Sequence, residues 1–383
     1  MSKKVTFFLT IATLFNLTGY ADFAYANACT SINSTVEKLM SRDQITGIAI
    51  VIIHNNKTDF CNYGYANKIT KQPITNKSIF EIASLTKTFT ALLAGIAVSE
   101  GKLNLQAPIT DYIPELVTNP AYTKIDVHEL LAHVSGLPMM FNGPLTEQGL
   151  IDSAINIKFT TPPGTYYQYS NPAFALVGLA LTRIYKTDFQ NLLSSLVLNK
   201  LGMVYTGINV TPHYQNLVVT GYNKNNQARG FMKLGIENSA GGLKSNTYDL
   251  AKYLQLQMNT TDPTFQQPLA IVHKNYYCLY EDGTYQQLAW EYHPIKELAK
   301  KYLPNAENQN ISPPHSLPQT CKVASDGFID KTGNSPGMTS YIGYIPNEKV
   351  GVAILASRAL QPDVVNLGRY ILQKAQVNKI TTQ

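Results

Sequence analysis

GFIDKTGNSPGMTSYIGYIPNEKVGVAILAS, residues 327–357, holds three runs, GFIDKTG, SYIGYIP and VGVAILAS, that read as three successive strands. DVVNLGRYILQKA (363–375) follows with the spacing of an amphipathic helix. At the other end of the chain, STVEKLMSRDQ (34–44) has helical spacing and GIAIVII (47–53) is a β-branched strand. A second strand, Phe60 to Ala66, completes a hairpin across His54-Asn55-Asn56-Lys57. Between the two ends the pattern is mostly helical, broken by Pro-rich loops such as TTPPGT (160–165). This order predicts an α+β fold in which both chain ends build one antiparallel sheet flanked by helices. A helical lobe, roughly residues 90–200, is inserted into it. Residues 304–320, PNAENQNISPPHSLPQT, read as a loop and as the best candidate for mobility.

The first residues, MSKKVTFFLTIATLFNLTGY, join two lysines to an apolar stretch, and Ala26-Asn27-Ala28 supplies an A-x-A cleavage site. Residues 1–28 therefore read as a secretory signal peptide, residues 29–383 as the mature domain, and the periplasm as its destination. No membrane association is expected after cleavage, apart from the option of a lipidated Cys29. A net charge of +6 with 15% charged residues and no basic block gives no case for nucleic acid. The four cysteines, Cys29, Cys61, Cys278 and Cys321, are expected to be structural, with Cys278 and Cys321 the favoured pair because they bracket the most irregular stretch. Neither they nor the seven histidines show metal-ligand spacing, so no metal or other cofactor is expected.

FEIASLTKTFT (80–90) puts Lys87 three residues after Ser84, on the same face at the start of a helix over 85–101. There, free backbone N–H groups can stabilise a developing oxyanion, and an apolar setting lowers the lysine pKa so that it can take the serine proton. Serine-x-x-lysine alone is cheap: Ser99/Lys102 repeats it. Tyr-x-Asn is equally cheap, but only Tyr169-Ser170-Asn171 lies after a Pro-rich loop and directly before a helix, FALVGLALTRIY. Lys331-Thr332-Gly333 occurs once, at a strand end, where a cation, a hydroxyl and a bare glycine suit a carboxylate lying along the strand edge. The three pieces in this order, 85 and then 162 residues apart, make a far stronger signal than any one of them.

With these motifs the chain resembles the serine β-lactamase and penicillin-binding-protein superfamily, and within it the class C β-lactamases. FEIASLTKTFTALLAG resembles the class C nucleophile helix and YSNPAFALVG its tyrosine loop. LGMVYTGINV, GGLKSNTYDLAKYL, YQQLAWE and DKTGNSPGMTSYIGYIPNEKVGVAIL extend the likeness over almost the whole mature chain. The resemblance implies a monomeric, cofactor-free hydrolase of β-lactams, or of peptidoglycan-like substrates, that works through an acyl-enzyme on Ser84. Lys87 and Tyr169 would share the proton, with Tyr169 as base once two lysines, Lys87 and Lys331, depress its pKa or relay the proton. Asn171 would hold the substrate's side-chain amide, and Lys331 and Thr332 its carboxylate, beside Gly333. Backbone N–H groups of Ser84 and Asn334 would form the oxyanion hole.

Three wall positions depart from the class. Met140 stands where a glutamine is usual, Gly241 where a tyrosine precedes G-[VL]-K-S, and SRALQPD lacks the usual asparagine. These departures keep open a D-alanyl peptidase, a carboxylesterase, or a binder that acylates and stalls. HELLAHVSGLP (128–138) also occurs in esterases and peptidases of the superfamily; His128 and His133 read as packing residues, since no GxSxG elbow exists to pair with them.

Overall fold

GIAIVII shows no polar alternation because its strand is covered on both faces. The computed structural model describes residues 28–54, 57–300, 314–359 and 362–380. The segment read as a signal peptide lies outside the described residues up to Asn27, as do Asn55, Asn56 and residues 304–313 of the Pro- and Asn-rich loop. Helix α1 (Ala28–Asp43) leads into strands β1 (Gly47–His54) and β2 (Lys57–Gly64). Helices α2 (Thr86–Ser99), α3 (Val127–Leu131), α4 (Asn171–Tyr185) and α5 (Thr247–Asn259) follow, then short strands β3 (Tyr277–Tyr280), β4 (Thr284–Gln286) and β5 (Glu291–Pro294). The chain closes with β6 (Gly327–Asn334), β7 (Thr339–Ile345), β8 (Val350–Ala356) and helix α6 (Pro362–Ile380). These strands form one antiparallel sheet in the order β2-β1-β8-β7-β6-β5-β4-β3.

The two chain ends meet inside this sheet, where β1 pairs with β8 from Ile48 opposite Ala356 to His54 opposite Val350. Ala49, Val51 and Ile53 of β1 face the larger core, which includes Phe89 of α2 and Leu254 of α5. Ile48, Ile50 and Ile52 face a second core with Ile32 and Val36 of α1 and Val364 and Ile371 of α6. Each valine or isoleucine among them contributes roughly 1.5–3 kcal/mol when fully buried, so both faces bind the strand strongly. Because both faces are apolar, hydrophobic alternation cannot by itself set the register. Gly351 of β8 packs closely on α5, where a Cβ would meet Leu254 Cδ2 at 2.9 Å.

The expected sheet from both chain ends is therefore present. Three of its strands escaped the sequence reading, because YCLY, TYQ and EYHP are short, mix tyrosine with polar groups and make no apolar run. Helix α2 falls within the expected helix over 85–101. Every residue from Thr86 to Ala97 is buried, so it is a central helix rather than an amphipathic one. Its threonines are tolerated there because Thr86 and Thr88 donate to the carbonyls of Ala83 (2.6 Å) and Leu85 (2.7 Å).

Cys278 pairs with Cys321 as expected, and Cys29 pairs with Cys61, tying α1 to β2. A lipid on the Cys29 sulfur is thereby corrected: that atom is already committed to Cys61. No helix among the described residues is long and apolar enough to cross a membrane.

Helix α3 begins where the Glu129 carboxylate accepts the backbone N–H of Asp126 at 2.8 Å. Burial pushes this carboxyl up from 4.5 to about 7, against the pull of that hydrogen bond. Between those two values the folded chain keeps a proton that the unfolded chain releases, so this group's contribution to stability falls as pH rises across that window. Glu129→Gln should therefore gain thermal stability relative to the parent between pH 5 and pH 8, while a Tm difference that is flat with pH would contradict the account.

Candidate active site

Ser84 lies on a single 3-10 turn, Ala83–Leu85, that runs directly into α2. The turn is sharp: Ala83 is buried and held at φ +46°, a region residues with a side chain rarely adopt. It is pinned from both sides, by Thr86 on the Ala83 carbonyl and by Ser340 Oγ of β7, which donates to the Ile82 carbonyl at 2.8 Å. Gly333 of β6 permits this approach, since a Cβ there would lie 2.3 Å from the Ile82 carbonyl oxygen and 3.1 Å from Ser84 N. The end of β6 thus runs beside the backbone N–H of Ser84, with Lys331 buried and Thr332 and Asn334 half-buried along it.

Lys87 is fully buried, and its Nζ reaches three oxygens: Asn171 Oδ1 at 2.7 Å, the Ala240 carbonyl at 2.7 Å and Ser84 Oγ at 3.1 Å. The first two oxygens only accept, so they take two N–H bonds in either protonation state. What remains of the nitrogen faces Ser84. An ammonium would donate its third N–H there, whereas a neutral amine presents its lone pair to the serine O–H. Burial first, and the charge of Lys331 second, hold this amine well below the usual lysine range; Glu237 opposes them. Lys331 is lowered too, by burial, against the pull of Glu291 and Asp330.

Tyr169 closes the group from the N-terminal side of α4, where Ser170 caps the helix by accepting the N–H of Ala173 at 3.1 Å. Of the two expected routes, depression of the Tyr169 pKa by the lysines or relay of its proton, the first is corrected. Burial raises its pKa above the ordinary value; the Ser84 hydroxyl pulls it down by less, and Glu291 adds to the rise. The geometry explains why. Lys87 Nζ and Lys331 Nζ sit over the ring, 4.8 and 4.9 Å from its centroid, where they meet the π-face rather than the oxygen. The tyrosine oxygen has Ser84 near it but makes no hydrogen bond of good geometry. Tyr169 is a neutral phenol here.

Ser84, Lys87, Tyr169, Asn171, Lys331 and Gly333 thus converge on one point, with Thr332 and Asn334 next on the same strand. Met140, half-exposed, receives the other end of Asn171: Nδ2 donates to its Sδ at 2.9 Å. The sequence reading gave no role to Ala240, Glu237 or Glu291. Ala240 acts through its carbonyl, which no residue type announces, and Glu291 stands on β5, a strand with no apolar run. Glu237 lies just before the quoted GGLKS segment and gave no motif of its own.

A serine hydroxyl on a strained turn, against a buried amine and under a phenol, is the site of a serine hydrolase. The chain belongs to the Beta-lactamase family, whose model matches residues 32–376. It is 34% identical to a beta-lactamase of Pseudomonas fluorescens over 85% of this chain and 92% of that one. Among solved structures it is similar to a Beta-Lactamase/D-Alanine Carboxypeptidase from Pseudomonas syringae, with 28% identity, a TM-score of 0.82, and coverage of 91% of this chain and 99% of that one. A class C beta-lactamase matches with 26% identity and the same TM-score of 0.82 over 92% and 98% of the two chains.

Isotope-edited NMR of the lysine Nζ resonances should show Lys87 losing its proton at a lower pH than exposed lysines. In Lys331→Ala its midpoint should move upward, because a positive neighbour is gone. Titration of Lys87 together with the exposed lysines, or a midpoint indifferent to Lys331, would contradict the assignment.

Proposed function

We propose that the protein hydrolyses β-lactams through an acyl-enzyme on Ser84 and so confers β-lactam resistance. The observation that carries this is the Lys87 amine, with two N–H bonds committed to Asn171 and Ala240 and its third direction on Ser84 Oγ. Family membership and the convergence of the motifs support the same reading. In acylation, Ser84 Oγ bonds to the lactam carbonyl carbon while its proton passes to Lys87 Nζ. The C–N bond then breaks as Tyr169 donates its proton to the ring nitrogen, and Lys87 returns a proton to the phenolate, restoring both groups. In deacylation, water adds to the ester carbonyl, its proton enters the same Lys87–Tyr169 pair, and Ser84 leaves with a proton returned to it. A neutral tyrosine suits this relay, since it acts first as a donor and then as a base.

Backbone N–H groups of Ser84 and Asn334 hold the oxyanion, a pair whose members are typically worth about 2.7–4 kcal/mol each. Asn171 Nδ2 takes the acyl side-chain amide, and Lys331 with Thr332 takes the substrate carboxylate. Residues 1–28 direct export, residues 29–383 form the catalytic domain, and the monomer works in the periplasm on a small molecule.

Two altered wall positions favour a second substrate class, D-alanyl peptides. Met140, a thioether, is the group that touches Asn171 Nδ2, and Gly241 leaves a bare wall beside Leu234. The similar structure from Pseudomonas syringae is that of a Beta-Lactamase/D-Alanine Carboxypeptidase.

Turnover of a chromogenic cephalosporin, a D-alanyl-D-alanine peptide and a short-chain aryl ester by the parent and Ser84→Ala separates these readings. The expected result is cephalosporin hydrolysis that falls on the order of 10³-fold or more in Ser84→Ala. Ester or peptide turnover with no cephalosporin turnover would sink the β-lactamase reading, and full activity in Ser84→Ala would sink the nucleophile.

A further inference from the structure

We propose that His133 is a positioning residue for Tyr169, gripping the backbone on both sides of it so that its hydroxyl stays over Ser84. The inference rests on the acyl-enzyme reading and adds a residue to it that acts through Tyr169 rather than on substrate.

His133 follows the short helix α3 and is fully buried. Its carbonyl accepts the N–H of Gln168 at 2.8 Å, and its ring Nδ1 accepts the N–H of Ser170 at 3.1 Å. The residues before and after Tyr169 therefore both hang from one histidine. Its backbone is left-handed, φ +59°, which lets a single residue present main-chain and side-chain acceptors to the same three-residue segment; histidine is among the side chains that tolerate this region best. The imidazole ring also packs on the tyrosine ring, centroids 4.1 Å apart and planes 30° apart, and on Phe174 at 5.1 Å.

The protonation state fits the role. An Nδ1 that accepts must be unprotonated, so the ring proton sits on Nε2, whose buried position has no hydrogen-bond partner. An imidazolium would turn an N–H against the N–H of Ser170 and break the grip. Burial, and after it the charge of Lys331, hold the ring well below its ordinary range. A histidine that merely filled space would need neither the acceptor nor the strained backbone.

Three variants separate grip from filling. His133→Phe keeps an aromatic ring and loses the acceptor; His133→Asn loses the ring but offers Oδ1 to Ser170 and suits a positive φ. Should the phenylalanine variant fail to fold, His133→Gly replaces it, since glycine accepts this backbone without strain. With a chromogenic cephalosporin as the probe, kcat should fall roughly 10–100-fold in His133→Phe, with KM changed by less than about threefold, and His133→Asn should recover most of the loss. Adding His133→Phe to Tyr169→Phe should cost nothing further, as expected of a residue that acts through the tyrosine. A parental kcat in His133→Phe, or an asparagine variant as slow as the phenylalanine one, would overturn the proposal. Full turnover by Ser84→Ala would instead overturn the acyl-enzyme reading beneath it, so the two failures are distinct.

Discussion

A primary amine sealed at the start of a buried helix is the constraint on which the rest of this molecule depends. An uncompensated ammonium out of water costs several kcal/mol, so Lys87 must lose its proton or find acceptors for every N–H. The fold does both in part. Asn171 and Ala240 take two N–H bonds, and burial together with Lys331 favours the amine over the ammonium. Satisfying that one nitrogen draws together α2, the N-terminus of α4, the 238–241 turn and, through Lys331, strand β6. Ser84 is the oxygen left over at the meeting point.

The surrounding packing serves this meeting point. Pairing β1 with β8 closes the chain ends into one sheet and fixes β6, β7 and β8 relative to each other. The Ala83–Leu85 turn then docks on that sheet through Ser340 and the bare face of Gly333. Tyr169 enters the group just before the N-terminus of α4. The nitrogens of Lys87 and Lys331 lie over its ring rather than at its oxygen, and burial keeps it a phenol beside the Lys87 amine.

Much of this was legible in the residues. The sheet from both chain ends followed from GIAIVII and the three terminal runs, because fully buried strands are continuous apolar runs. The site residues followed from three short motifs in order, since each needs its own side chain to do its chemistry. What was hidden has physical reasons. Strands β3 to β5 are held by backbone pairing at one margin of the sheet and carry mixed tyrosines and polar groups, so no pattern marks them. Ala240 contributes a carbonyl that any residue could supply. The pKa of Tyr169 follows first from its burial, which tertiary packing sets and no spacing encodes. His133 was read as packing because the sequence has no GxSxG elbow to pair with it, while its partners, Gln168 and Ser170, are more than thirty residues away.

The most direct test of the account is rapid-quench mass spectrometry of the protein during turnover of a penicillin, followed by peptide mapping. Ring opening keeps every atom of the drug, so the account predicts a transient adduct of the full penicillin mass, carried by the peptide that contains Ser84. Hydrolysis that proceeds with no adduct on the protein, or an adduct mapped to any other residue, would contradict it.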